Sequence, residues 1–246
     1  MNETLDYFDF QSDFFDVYQK SCVPRYGEMV EECASFLARV LPGDSAVRIL
    51  DLGCGTGNTA QRIAEIFPQT KLVCMDGSQK MLDRAKQKLF AHRDMTIEFV
   101  LQDLTLEGWA SSWSDNEFDA VVSVLVLEHL PFHVYRNVLP QCRRILKPDG
   151  WLLTVEGYEA GLLTELYWRE LNELEEQAVQ KGTISKSWLQ KMKALSLRHE
   201  KHYFTTLDER KYWWQEAGFA GVDCVWKYYC VGLLIGKKTE AKRRVP

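Results

Sequence analysis

Val47 to Asn58 reads Val-Arg-Ile-Leu-Asp-Leu-Gly-Cys-Gly-Thr-Gly-Asn, and the expected fold follows from it. Ile49, Leu50 and Leu52 form a short apolar run with Asp51 near its end. Gly53, Gly55 and Gly57 come next, before an amphipathic segment marked by Ala60, Ile63, Ala64 and Phe67. Apolar run, glycine cluster and amphipathic run predict strand, tight turn and helix. A glycine turn lets a ligand approach the backbone because no Cβ intervenes, and it aims the first N–H groups of the helix into the same crevice. The turn is therefore expected to hold a ligand.

Spacing narrows the ligand. A dinucleotide turn of the form Gly-x-Gly-x-x-Gly would need glycine at position 58, where this chain has Asn58. Downstream, Lys71 to Met75 predicts a second strand ending at Asp76 and Gly77. Ser78 then caps a helix with Met81, Leu82, Ala85 and Leu89 on one face. An acid at the end of the second strand can accept hydrogen bonds from both hydroxyls of a ribose. Ile97 to Leu101 predicts a third strand, with Gln102, Asp103 and Leu104 beyond it. Phe118 to Val124 predicts a fourth, nearly continuously apolar as a strand covered on both faces should be. Leu127-Glu128-His129 follows it. A helix is expected over about 134–146, kinked or restarted at Pro140. Lys147-Pro148-Asp149-Gly150 predicts a turn into a fifth strand, Trp151 to Val155.

Outside this core, residues 1–45 are rich in aromatic and acidic side chains and predict helices broken at Pro24. Residues 157–201 predict long amphipathic helices inserted after strand five. Thr206 to Glu209 is a capping-box pattern opening a helix that ends at Ala217-Gly218-Phe219. Two β-rich runs, Gly221 to Tyr228 and Cys230 to Ile235, form a terminal pair of strands with a tight turn or bulge near Tyr229. The expected fold is α/β: a Rossmann-like, mostly parallel seven-stranded sheet with helices on both faces, a terminal antiparallel hairpin, a helical N-terminal segment and a helical insertion after strand five. The expected divisions are an N-terminal helical lid (1–45), a cofactor-binding core (46–156), the insertion (157–201), the last helix and strands (202–236) and a basic tail (237–246).

The Asp-Leu-Gly-Cys-Gly-Thr-Gly run resembles motif I of the class I S-adenosylmethionine-dependent methyltransferases. Leu-Glu-His after strand four, the Lys-Pro-Asp-Gly turn and the terminal hairpin are similar to that family as well. The resemblance covers residues 47–155 and implies S-adenosyl-L-methionine as cofactor. The cofactor would be held by Asp51, Gly53, Cys54, Gly55, Gly57, Asn58, Asp76, Gly77, Met81, Gln102, Asp103, Leu104 and Val124. The ends of the chain look most like the carboxy-S-adenosylmethionine synthase branch. That likeness adds Tyr26, after the proline break, as a cofactor contact. The arginine that holds the extra carboxylate in that branch falls at Tyr203 here, which argues against a carboxylated cofactor.

Composition limits the remaining possibilities. The chain has 246 residues, 46% of them hydrophobic, which suits one α/β domain with appendages. A net charge of −5 disfavours a general nucleic-acid binder, and the basic cluster Lys237, Lys238, Lys242, Arg243 and Arg244 sits in the expected tail. Seven cysteines without Cys-x-x-Cys suggest reduced thiols and no metal site. The absence of a leader-like or membrane-length apolar run suggests a cytoplasmic protein with no membrane partner, either monomer or homodimer.

Methyl transfer is an in-line displacement that mainly requires alignment and exclusion of water. His129 and His202 are the candidate catalytic bases, and Trp168, Tyr203, Tyr228 and Tyr229 are candidate walls for a small-molecule acceptor. An Asn-Pro-Pro-Tyr tetrad is absent after strand four, which disfavours methylation of bases or glutamine. Four readings compete: a small-molecule methyltransferase, a carboxy-S-adenosylmethionine synthase-like enzyme, a nicotinamide-dependent oxidoreductase and a catalytically silent cofactor-binding protein. Asn58 and the terminal hairpin weigh against the oxidoreductase.

Overall fold

The computed structural model describes residues 3–42, 47–199 and 202–239. Three helices lead the chain: α1 (Glu3–Gln11), α2 (Phe15–Cys22) and α3 (Tyr26–Val40). The core follows as β1 (Arg48–Leu52), α4 (Asn58–Ile66), β2 (Lys71–Asp76), α5 (Gln79–Leu89), β3 (Thr96–Leu101), β4 (Phe118–Val124), α6 (Phe132–Ile145) and β5 (Leu146–Gly157). Helices α7 (Leu162–Gln180) and α8 (Lys186–His199) form the insertion. The last elements are α9 (Leu207–Glu216), β6 (Phe219–Tyr228) and β7 (Val231–Lys238). The strands form one seven-stranded sheet of order β3-β2-β1-β4-β5-β7-β6. Pairings among β1 to β5 are parallel, whereas β7 runs antiparallel to both β5 and β6.

Alternation along each strand divides the core into two layers. Ile49, Cys74, Ala120, Val122 and Leu153 face a layer closed by α3, α4 and α5. Leu50, Leu52, Val73, Met75, Val121 and Leu152 face a layer closed by α6, α9 and the Trp109–Trp113 loop. A smaller third cluster, containing Tyr7, Cys22, Ala178, Ile184 and Met192, joins α1 and α2 to α7 and α8. The N-terminal segment and the insertion thus pack against each other although more than a hundred residues separate them in the chain.

Three details differ from expectation. Helix α6 runs unbroken through Pro140: the proline removes a single backbone donor, while Val138, Leu139 and Cys142 around it are held in the core. The Lys147–Gly150 turn lies inside β5 as a bulge, with Asp149 at φ 63° and the register shifting between Phe118 and Ala120. Lys237 and Lys238 belong to β7, while the tail from 240 onward, with Lys242, Arg243 and Arg244, lies outside the described residues.

At α9 the sequence pattern is realised in full. The Thr206 side chain accepts from the Glu209 N–H, and the Glu209 carboxylate accepts from the Thr206 N–H at 3.0 Å. Thr206→Ala is expected to lower stability by about 1 kcal/mol, read as an earlier urea midpoint with an unchanged slope. An unchanged midpoint would show that the box contributes nothing.

Candidate functional site

The order of the sheet reverses between β1 and β4, the place where ligands enter open α/β sheets. A cavity of about 740 Å³ opens at the carboxyl ends of these strands. That volume lies in the upper part of the roughly 300–1,000 Å³ range typical of small-molecule sites.

One lobe is built by strand ends. Gly53 and Gly55 have φ of 74° and 53°, values that glycine adopts without steric cost. A Cβ on Gly53 would meet Val126 at 2.5 Å. The Asp76 carboxylate accepts from the Gly55 N–H and the Ser78 N–H, both at 2.8 Å, so it fixes the glycine turn while each oxygen keeps a further lone pair. Gly53, Cys54, Gly55, Asp76, Gly77, Met81, Gln102, Asp103, Leu104 and Val124 all line the cavity, as does Tyr26. This wall suits a cofactor that needs close backbone approach at one end and a charged acceptor for hydroxyls further along.

Several sequence candidates lie off the cavity. Asp51 points to the opposite layer from Leu50 and Leu52 and sits beneath the turn. It is 1% exposed, and its Oδ2 accepts no hydrogen bond among the described residues. Gly57 faces α5, where an added Cβ would meet the Ala85 Cα at 3.3 Å. Asn58 is the first residue of α4, and its amide donates to Asp16 and to the Tyr26 hydroxyl at 3.0 Å each. It braces the N-terminal segment and does not line the cavity. Tyr228 bonds Glu170 at 2.6 Å, and Tyr229 makes the β6–β7 turn at φ 49°. Both lie away from the cavity because the hairpin turns outward behind α7.

The second lobe is closed by α1, α2, α7, α8 and the 202–204 segment, with Tyr7, Phe8, Tyr18, Gln19, Trp168, Glu175, Lys193, His202, Tyr203 and Phe204 among its walls. His129 and His202, 73 positions apart, meet here with ring centroids 4.7 Å apart. Glu128 lies next to them, its Oε1 4.0 Å from His202 Nδ1 and its Oε2 accepting from the Gly157 N–H. Burial pushes the Glu128 carboxyl up to about 7. Tyr203 donates its N–H to the Glu128 carbonyl at 2.7 Å and accepts on its own carbonyl from the fully buried Arg210 at 2.7 Å. These two bonds hold the 202–204 segment over the lobe. Arg210 itself does not line the cavity, and among the described residues no arginine does.

The sequence reading missed Phe15, Gln19, Glu175 and Lys193. For Glu175 a signal existed. Tyr167, Leu171, Glu175 and Ala178 share the buried stripe of α7, and an acid on such a stripe marks a polar site.

Acidic side chains tie the N-terminal helices over the crevice. Asp16 accepts from the Thr56 hydroxyl, from the Asn58 amide and, in an ion pair of 2.6 Å, from Lys88. Asp9 accepts from the Ser78 hydroxyl, and Asp13 pairs with Arg84. Burial opposes ionisation of Asp16, but Lys88, Thr56 and Asn58 outweigh it and hold the carboxyl below its ordinary value.

Comparison with known proteins agrees with this geometry. Residues 49–150 match the family described as methyltransferase domain. Trans-aconitate 2-methyltransferase of Azoarcus sp. (strain BH72) is 34% identical over 125 residues, 51% of this chain and 44% of that protein. The tRNA N(3)-methylcytidine methyltransferase Mettl2 of Drosophila melanogaster is 32% identical over 120 residues, 46% of this chain and 36% of that protein. This chain thus spans less than half the length of either relative. Among solved structures, the CurJ carbon methyltransferase superposes with a TM-score of 0.64 at 18% identity, covering 91% of this chain and 57% of that one. That likeness is one of fold: a Rossmann-like sheet closed by an antiparallel hairpin.

Burial and the neighbouring Asp76 charge push Asp51 up to about 7, and burial pushes Asp76 up to about 6, against an ordinary aspartate value near 3.9. In this window the folded chain binds protons that the unfolded chain has already released, so stability rises as pH falls from about 8 to about 6. The ligand-free protein is expected to show a higher denaturant midpoint at the lower pH, with a smaller gain in Asp51→Asn. An identical gain in the variant would show that Asp51 does not titrate there.

Proposed function

We propose that this chain, whose residues 49–150 match the methyltransferase domain family, transfers a methyl group from S-adenosyl-L-methionine to a small-molecule acceptor. The observation that carries the reading is the pairing of the Gly53–Gly55 turn with Asp76 at the mouth of a two-lobed cavity. The residues fit that cofactor. Gly53 and Gly55 admit its methionine end, and Asp76 would take the ribose hydroxyls. Met81 and Leu104 offer apolar contact with Gln102 and Asp103 beside them, and Val124 and Tyr26 complete the wall.

Bound there, the cofactor supplies an electrophilic methyl group on a sulfonium. The protein's part is to align the acceptor, exclude water and accept a proton. Helices α1, α2, α7 and α8 act as the lid, with Trp168 and Tyr203 as acceptor walls and His129 and His202 as the base pair beside Glu128. A covered cavity with acidic walls in a chain of net charge −5 supports a small acceptor over RNA. The same acidity does not suit a tricarboxylate such as trans-aconitate. With Tyr203 in the arginine position and no arginine on the cavity wall among the described residues, a carboxylated cofactor would lack a bidentate partner. We extend the reading to a cytoplasmic monomer or homodimer. No helix among the described residues is long and apolar enough to cross a membrane.

Calorimetry should show S-adenosylhomocysteine binding that weakens about ten- to a hundredfold in Asp76→Ala, because one carboxylate serves both the glycine turn and the hydroxyls. Binding of NADH with no response to S-adenosylhomocysteine would overturn the proposal. With an acceptor in hand, His129→Ala or His202→Ala should lower turnover by about a hundredfold with cofactor affinity unchanged. Turnover left nearly intact in both variants would mean that alignment alone suffices.

A further inference from the structure

We infer that the second lobe takes an amine: the methyl acceptor is a primary or secondary amine on an aromatic or apolar body, received as its ammonium against Glu175 and Gln19. The inference rests on the methyl-transfer reading above and adds the chemical class of the acceptor.

Charge on the walls is the first argument. Four carboxylates line the cavity: Asp76, Asp103, Glu128 and Glu175. Among the described residues Lys193 is the sole lysine or arginine that does so. Lys193 is already committed, in an ion pair with Glu175 and in a 3.0 Å bond to Asn172 Oδ1. Two of the four, Glu128 and Glu175, face the second lobe, so an acceptor bearing a carboxylate or phosphate would meet two buried acids there and, among the described residues, no uncommitted lysine or arginine. An ammonium enters with the opposite sign of interaction.

Hydrogen-bonding capacity is the second. Glu175 is 1% exposed and takes the Tyr18 hydroxyl at 2.8 Å on one oxygen while Lys193 approaches the other. One turn from the Phe15 ring that covers Gly55, Gln19 places a buried Oε1 that accepts no hydrogen bond among the described residues. That carbonyl needs a donor. An ammonium brings two or three N–H donors and favourable contact with the faces of Tyr7 and Trp168, whereas an alcohol brings one donor and no charge.

The Glu128–His129–His202 cluster lines the same cavity and can take the proton that the amine must lose. The ammonium gives one proton to the Glu128–His129–His202 cluster, which frees the nitrogen lone pair. That pair forms the bond to the methyl carbon as the carbon–sulfur bond breaks, its electrons staying on sulfur as a thioether. The positive charge passes from sulfur to the methylated nitrogen. Burial of Glu128, which raises its proton affinity, favours this acceptor of the proton.

The test titrates phenylpropylamine, phenylpropanol and phenylpropionate, which share a ring and arm length, into protein saturated with S-adenosylhomocysteine. Mass spectrometry follows methyl transfer to each in parallel. The amine should bind at least about tenfold more tightly than either analogue and should gain the methyl group on nitrogen. Glu175→Gln should narrow the preference over the carboxylate to about threefold or less, because it removes the acid and releases Lys193. Lys193→Gln removes the cation while leaving an amide donor for Glu175, and should widen the preference, which decides the matter if Glu175→Gln does not fold. Equal or tighter binding of phenylpropionate or phenylpropanol, or binding of none of the three, would overturn the inference. Failure of S-adenosylhomocysteine to bind at all would instead overturn the methyl-transfer reading.

Discussion

The hydrogen bond from the Gly55 N–H to the Asp76 carboxylate joins the turn after β1 to the end of β2, and the cavity's geometry depends on it. The Gly53 and Cys54 N–H groups bond the Met75 carbonyl as well, and together these bonds order a turn whose glycines carry high conformational entropy when free. The cost is a carboxylate buried beside a second one, Asp51, and both are pushed towards the protonated form. A binding site that holds unfavourable charge before its ligand arrives gives that ligand a large share of the stabilisation. The proposed cofactor, with a sulfonium cation and hydroxyl donors, would supply what these carboxylates lack.

The roof follows a different principle. Helices α1 and α2 bury few large side chains in the main core. They are held by Asp9, Asp13 and Asp16 reaching Ser78, Arg84 and Lys88 on the cofactor-binding half, and by Tyr7 and Cys22 in the small apolar cluster with α7 and α8. Contacts of this kind are individually weak and partly solvent-screened, which suits the proposed role of this segment as a lid. Asp9, Asp13 and Asp16 are therefore structural: they are complementary to the basic face of α5.

Behind the second lobe lies a polar core that gives the site its rigidity. Arg210, fully buried, stacks over Tyr135 at 3.8 Å and faces Glu156 Oε2 at 3.8 Å, while Tyr135 joins Glu156 and the Trp214 indole at 3.0 and 2.8 Å. A buried pair is costly to assemble, and removing one partner strands the other, at about 3–5 kcal/mol. The return is positional. Arg210 fixes the Tyr203 carbonyl, Tyr203 fixes the Glu128 carbonyl, and His202 is brought against His129.

The succession of strands and helices, the glycine turn, Asp76 and the capping box at α9 were legible in the sequence, because each depends on local periodicity or on one residue's backbone chemistry. Gln102 and Asp103 were read from the end of the third strand and Tyr26 from the family resemblance at the proline break; all three line the cavity. Asp51, Gly57 and Asn58 entered the ligand set through the family resemblance, and strand parity and helix register place them off the cavity wall. Tyr228 and Tyr229 were grouped by aromatic character, which carries no direction. Neither the packing of α1 and α2 on α7 and α8 nor the encounter of Glu175 with Lys193 and of His129 with His202 has a local pattern in the chain. Those contacts join residues distant in sequence through burial of apolar surface, a cooperative property of the whole molecule, and only the tertiary structure decides them.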